Sequence, residues 1–178
     1  IQTVELLDQI IISVGEKNSL VNESRLLKQS LELSVNVSAL VHETQKERGA
    51  TAGFLGSKGT KFSATLQEQK SSTDVKYQEL KRTMQSIELS ELPKKFISEL
   101  QNSLRTFDDI SNVRSKVQSF TISKKDAIAY YTGMNGSFLD SIAVLAHEST
   151  QEAVIKDLNS YVNFLYSKER AGVERAVG

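Results

Sequence analysis

The chain contains no cysteine, which excludes disulfide bridges, thiol nucleophiles and thiolate metal sites. That absence is compatible with a reducing or an oxidising compartment. Tryptophan is missing too, and proline occurs once in 178 residues. With few strand-like alternations, this composition points to an all-α protein, and the length suits one domain with a substantial core. No run approaches the ~20 apolar residues needed to cross a bilayer. The triplet Ile10-Ile11-Ile12 is bounded by Asp8-Gln9 and Ser13. An excess of charge is lacking as well, since Lys+Arg and Asp+Glu balance at 22 each. No overall field recruits nucleic acid or an anionic membrane, so any anion site has to be local. The chain begins at Ile1 without Met or a leader-like segment, and it reads as a piece of a longer protein.

What is present is helical periodicity. Ile1, Val4, Leu7, Ile11 and Val14 recur at intervals of three and four, and the stripe resumes through Leu26, Leu33, Val37, Leu40 and Val41 to Phe54-Leu55. Gly56-Ser57-Lys58-Gly59 then supplies a helix stop and turn. A second helix fits from about Phe62 to Ile87, and Pro93 opens a third that runs through Phe96, Leu100, Phe107 and Ile110 to near Phe120. Ser123 followed by Asp126 is an N-cap with an acidic first turn for a fourth helix, ending near His147. The capping-box pattern Ser149-Thr150-Gln151-Glu152 starts a fifth, which fades at Gly178. Short turns between five helices predict an antiparallel bundle with a long first helix, all within one domain, residues 1–178. Residues 1–28 overhang that bundle as a stalk or dimerisation arm, which makes a homodimer the expected assembly. The alternative is a break near Gly15–Ser19 that folds the first turns back.

The tetrapeptide Lys46-Glu47-Arg48-Gly49 recurs near the end of the chain as Lys168-Glu169-Arg170-Ala171-Gly172. Two guanidiniums brought together would form a cradle for a small planar oxyanion. Helix rise permits a test of whether they share a level. Arg48 lies about 12 Å below the Gly56–Gly59 turn, and Tyr130-Tyr131 about 10 Å below it. Arg170, climbing the fifth helix, also ends about 12 Å below. Arg48, Tyr130, Tyr131, Asn135 and Arg170 are thus expected in one layer. Glycines gather there as well: Gly49, Gly53, Gly133 and Gly136 sit inside helices, where each costs about 1 kcal/mol against alanine. Either close helix approach or room for a ligand would account for them.

Other chemistry finds no support. His42-Glu43 lacks the second histidine of a zinc protease. His147 sits at a predicted corner, where a solvated histidine is expected, and two separate histidines without cysteine form no metal cluster. Neither histidine has a nucleophile partner, and the Gly49–Gly59 run lacks the order of a phosphate-binding loop. No metal, no cofactor and no catalytic residue is expected, so the chain reads as a non-enzyme.

The segment Leu40-Val41-His42-Glu43-Thr44-Gln45-Lys46-Glu47-Arg48-Gly49-Ala50-Thr51-Ala52-Gly53-Phe54-Leu55 resembles the first signature of the nitrate- and nitrite-sensing domain. Tyr130-Tyr131-Thr132-Gly133-Met134-Asn135 with Leu139-Asp140 resembles its middle signature, and Tyr161 through Val177 its third. The resemblance covers roughly residues 35–60 and 125–177. It implies a helical domain that binds nitrate or nitrite through Arg48 and Arg170, with Gly49, Tyr130, Tyr131 and Asn135 beside them. It further implies the periplasmic sensor of a membrane-anchored bacterial protein, a methyl-accepting chemotaxis receptor or sensor kinase, or alternatively a cytoplasmic antiterminator. Against the sensor stands a second reading, a ligand-free helical dimerisation module in which the arginines pair with Glu43, Glu47, Glu169 or Glu174. Its discriminating feature is whether each guanidinium faces a shared cavity or its own carboxylate.

Overall fold

A computed structural model of the chain describes residues 2–148 and 152–177. Within them the chain forms six α-helices: α1 (Gln2–Gly56), α2 (Ser63–Ser86), α3 (Lys94–Phe107), α4 (Ile110–Gln118), α5 (Lys124–Glu148) and α6 (Glu152–Val177). A 3-10 turn, Leu89–Glu91, precedes α3. The all-α bundle with a long first helix is therefore the architecture, with one difference in the third rod. That rod is divided at Asp108–Asp109 into α3 and α4. Asp108 and Asp109 keep right-handed helical dihedrals, and Asp109, at the N-cap of α4, makes no side-chain cap bond. The predicted capping box at residues 149–152 falls largely outside the described residues.

The break considered near Gly15 does not form. α1 runs through it without interruption. Beyond the bundle, Leu7, Ile11, Val14 and Val21 are between 50% and 69% exposed; the side chains of Ile1 and Val4 lie outside the description. Among the described residues no helix is long and apolar enough to cross a membrane.

α1 packs on α2, α5 and α6, and α5 packs on α3 and α6. This makes α5 the central rod, with Ala127, Tyr131, Met134, Phe138 and Ile142 all fully buried. The turn after α1 closes through Gly59 N–H donating to Phe54 O at 2.9 Å. Gly59 sits at φ 78°, and a Cβ there would lie 2.8 Å from the Phe120 ring. That ring stacks on Phe54 at 5.3 Å, so the turn and the α4–α5 corner are held as one end of the bundle. At the start of α5, Asp126 N–H donates to Ser123 Oγ at 3.0 Å, which is the cap expected from the sequence.

The buried stripe of α1 changes character midway. Leu33, Val37, Leu40 and Val41 are apolar, then Thr44, Glu47, Arg48 and Thr51 follow at the same spacing, and Phe54 resumes the core. Two turns of polar side chains therefore face inward, where a buried charge is stable only if paired and hydrogen-bonded.

Candidate functional site

Glu47 and Arg48 are consecutive, so they leave α1 about 100° apart and enter different neighbourhoods. Glu47 is fully buried. Its Oε1 accepts hydrogen bonds from Arg114 Nε at 2.7 Å and Tyr131 Oη at 2.7 Å, and its Oε2 accepts one from Arg114 Nη2 at 2.9 Å. Arg114 also donates to Asp74 Oδ1 at 2.7 Å. Burial works against the Arg114 charge, but the Glu47 and Asp74 carboxylates outweigh it and hold its pKa above the ordinary value. Burial, reinforced by the Glu47 charge, pushes the Tyr131 phenol well up. Both shifts describe one network that ties α1 to α4 and α5.

Arg48 enters the seam among α1, α5 and α6 and is 1% exposed. Its Nη1 donates to Glu169 Oε1, and its Nη2 to Glu169 Oε2 at 3.3 Å. Nη1 also donates to Thr132 Oγ1 at 2.9 Å. Glu169 Oε2 accepts a further bond from Gln45 Nε2 at 2.7 Å. Next along the seam, Thr44 Oγ1 donates to Asn135 Oδ1 at 2.6 Å. Two donors in this layer, Arg48 Nε and Asn135 Nδ2, are buried without a hydrogen-bond partner among the described residues. Each such orphan costs about 1–3 kcal/mol.

Of the expected site residues, Arg48, Tyr131 and Asn135 do line the α1–α5 seam. Tyr130 does not join them: its hydroxyl donates to Thr106 O at 2.9 Å, on α3. Gly49 is exposed, and a Cβ there would meet nothing within 4 Å; the same holds at Gly133 and Gly136. Close helix approach therefore does not explain those three glycines. Gly172 is different, because its Cβ would lie 2.7 Å from Arg48 Nη2.

Arg170 is exposed, while Glu169 before it and Gly172 after it face α1. The level computed from helix rise is right, since the neighbour of Arg170 touches Arg48. The facing is not, because one residue is about 100° of helix. In this structure the Arg48 fork meets a carboxylate and not a second guanidinium. Glu169 was among the carboxylates expected to compete. Arg114 was not foreseen; its only sequence signal is an arginine between Val113 and Val117, two residues that bury on the same short helix.

Above the Arg48–Glu169 pair, α1 and α6 leave a groove of about 360 Å³, lined by His42, Gln45, Lys46, Gly49, Lys168, Gly172, Arg175 and Ala176. Partial burial and the nearby Lys168 charge lower the His42 pKa, and Lys168 Nζ lies 2.7 Å from His42 Nδ1. Among the described residues no cluster of three or more carboxylates and histidines is placed to hold a metal ion.

The interior of this helical bundle holds a buried guanidinium and two donors without a hydrogen-bond partner among the described residues. The sequence pattern described as nitrate and nitrite sensing matches residues 39–178, and the chain belongs to that family. No curated protein matches it in sequence. In fold it is similar to the NasR transcription antiterminator, with a TM-score of 0.81 and 19% identity. That match covers 93% of this chain and 46% of the NasR chain, so the sequence spans less than half of that protein.

Proposed function

We propose that the domain binds nitrate or nitrite at Arg48, with Arg170 supplied from α6, and passes the resulting movement of α6 against α1 to an attached output module. The observation that carries this is the condition of Arg48. Its guanidinium is buried, and both its Nε and the Asn135 Nδ2 have no hydrogen-bond partner among the described residues. Donors without acceptors suit a ligand that only accepts, and a planar trigonal oxyanion matches the guanidinium plane. Bringing Arg170 to the same ligand requires α6 to turn by about 100°. Affinity is bounded by ligand size: four heavy atoms at about 1.5 kcal/mol each give about 6 kcal/mol, a dissociation constant of roughly tens of micromolar. Calorimetric titration with nitrate tests the proposal, and a melting curve unmoved by millimolar nitrate sinks it.

The Arg48–Glu169 pair favours the second reading, a ligand-free structural module, because a guanidinium satisfied by its own carboxylate needs no anion. The same melting curve separates the two.

We also infer a parallel homodimer through the overhanging part of α1. Leu7, Ile11, Val14 and Val21 fit a seam with a heptad spacing, and Asn18 falls on it, where a polar residue sets register in two-stranded coils. A monomer in sedimentation at tens of micromolar would overturn this inference. The family resemblance supports a place as the extracytoplasmic sensor of a membrane-anchored chemoreceptor or kinase. Alkaline phosphatase fused at the domain in the full-length protein should be active; an inactive fusion with an active β-galactosidase counterpart places the domain in the cytoplasm.

A further inference from the structure

We propose that Glu169 is a built-in competitor for the anion. Its carboxylate sits in the Arg48 fork as a tethered stand-in for nitrate, and the ligand has to displace it. The inference rests on the nitrate-binding reading above and adds the element that sets its affinity.

A carboxylate and a nitrate ion present the same thing to a guanidinium, two coplanar oxygens that accept two parallel N–H bonds. Glu169 does this unevenly: Nη1 donates to Oε1, while Nη2–Oε2 is 3.3 Å, where a charge-assisted bond is normally about 2.7–2.9 Å. It leaves Arg48 Nε idle, as well as Asn135 Nδ2. Nitrate brings one more oxygen than a carboxylate, so it has an acceptor to spare for donors that Glu169 leaves unused.

The pair itself is buried, but residues touching it open onto a groove. Gln45, which donates to Glu169 Oε2 at 2.7 Å, and Gly172, which lies against Arg48 Nη2, both line the groove between α1 and α6. Lys46, Lys168 and Arg175 line the same groove. Those cations attract an incoming anion, and they offer the displaced carboxylate a new partner. Because Glu169 is tethered, its effective concentration at the fork is on the order of millimolar or higher. Free nitrate at lower concentration meets a site already partly filled, so the wild-type protein trades affinity for a ligand-dependent release of α6. Without Glu169 the fork would be open at all times and α6 would have nothing to release.

Calorimetric titrations of nitrate into the wild-type domain and the Glu169→Gln variant, with melting curves of both, test this. Gln keeps the size of Glu and removes the competing charge. Nitrate should bind Glu169→Gln at least tenfold more tightly than wild type. The variant should melt earlier in the absence of anions, because Arg48 has lost its counter-charge, and millimolar nitrate or formate should restore it. Chloride at equal ionic strength should not. If Glu169→Gln fails to fold, Glu169→Asp shortens the tether by one methylene and should move affinity in the same direction. Wild type that binds nitrate, with variants binding it no better, would overturn the competitor role and leave nitrate sensing standing. Restoration by chloride as effective as by nitrate would also overturn it. Absence of nitrate binding by both wild type and variants removes the sensing reading, and the competitor with it.

Discussion

Glu47 and Arg48 are neighbours on one helix, both buried and both paired with an opposite charge, yet their surroundings differ. The Glu47 carboxylate accepts from Arg114 twice and from Tyr131 once. It has no spare charge to offer, and its partners come from helices packed on both sides. The Arg48 guanidinium donates to Glu169 through Nη1 and Nη2 and to Thr132 Oγ1 through Nη1, and its Nε has no hydrogen-bond partner among the described residues. A saturated pair locks helices together. A pair that leaves a donor unpartnered keeps a hydrogen bond still to be made. On the proposed reading, the difference between two adjacent residues separates the fixed side of the bundle, α4 with α5, from the side that responds to the anion, α6.

The sharpest way to break that comparison is at Arg114. Arg114→Leu strands the fully buried Glu47 carboxylate with only the Tyr131 hydroxyl, and removing one partner of a buried pair typically costs about 3–5 kcal/mol. For a chain of this size that lowers the melting temperature by about 10 °C. A loss no larger than that for an exposed arginine would show that the network locks nothing.

Arg48 and Arg170 come next, since one is buried and the other exposed. Arg48→Lys should lose the parallel N–H pair and with it tenfold or more in nitrate affinity, and about 1–3 kcal/mol of stability, because Glu169 loses bonds as well. Arg170→Lys should lose nitrate affinity to a similar degree while stability stays within about 0.5 kcal/mol. Calorimetry and urea denaturation on the same samples read both. Equal stability losses would mean that Arg170 is packed into the protein in solution.

Tyr131 probes the locked side through pH. Its phenol is held well above the usual value by burial and by Glu47, so above about pH 10 the unfolded chain gives up a proton that the folded chain keeps. The unfolded state then binds fewer protons, and stability falls as pH rises through that range. Tyr131→Phe should cost about 1 kcal/mol at neutral pH, the worth of one hydrogen bond, and should flatten part of the alkaline decline. Urea denaturation at pH 8 and pH 10.5 measures this.

The smallest effects belong to the glycines. Gly49→Ala meets nothing within 4 Å and should stabilise α1 by up to about 1 kcal/mol from helix propensity. Gly172→Ala should gain less, because its Cβ would stand 2.7 Å from Arg48 Nη2 and push the guanidinium off its partner. The two variants therefore sort by nitrate affinity. Gly172→Ala should weaken binding more than Gly49→Ala, and the reverse order would place the ligand over Gly49.

Much of this protein is set by sequence alone. The all-α bundle, its long first helix, the turn at Gly56–Gly59 and the Ser123 cap follow from periodicity and local hydrogen-bonding chemistry, which act within a few residues; the division of the third rod does not. The level of Arg48 and the end of α6 is set too, because rise per residue is constant and height simply adds up along each rod. The arginine motifs are legible in the same way, as repeated residues at matching heights. What only the tertiary structure decided is direction. A single residue changes facing by about 100°, so an error too small to matter for height exchanges Glu169 for Arg170 at the fork and sends Tyr130 to α3 while Tyr131 goes to Glu47. Arg114 shows the same limit from the other side: its periodicity marks a helix, but only the tertiary structure brings its side chain from α4 to Glu47 and makes that carboxylate tolerable in the core.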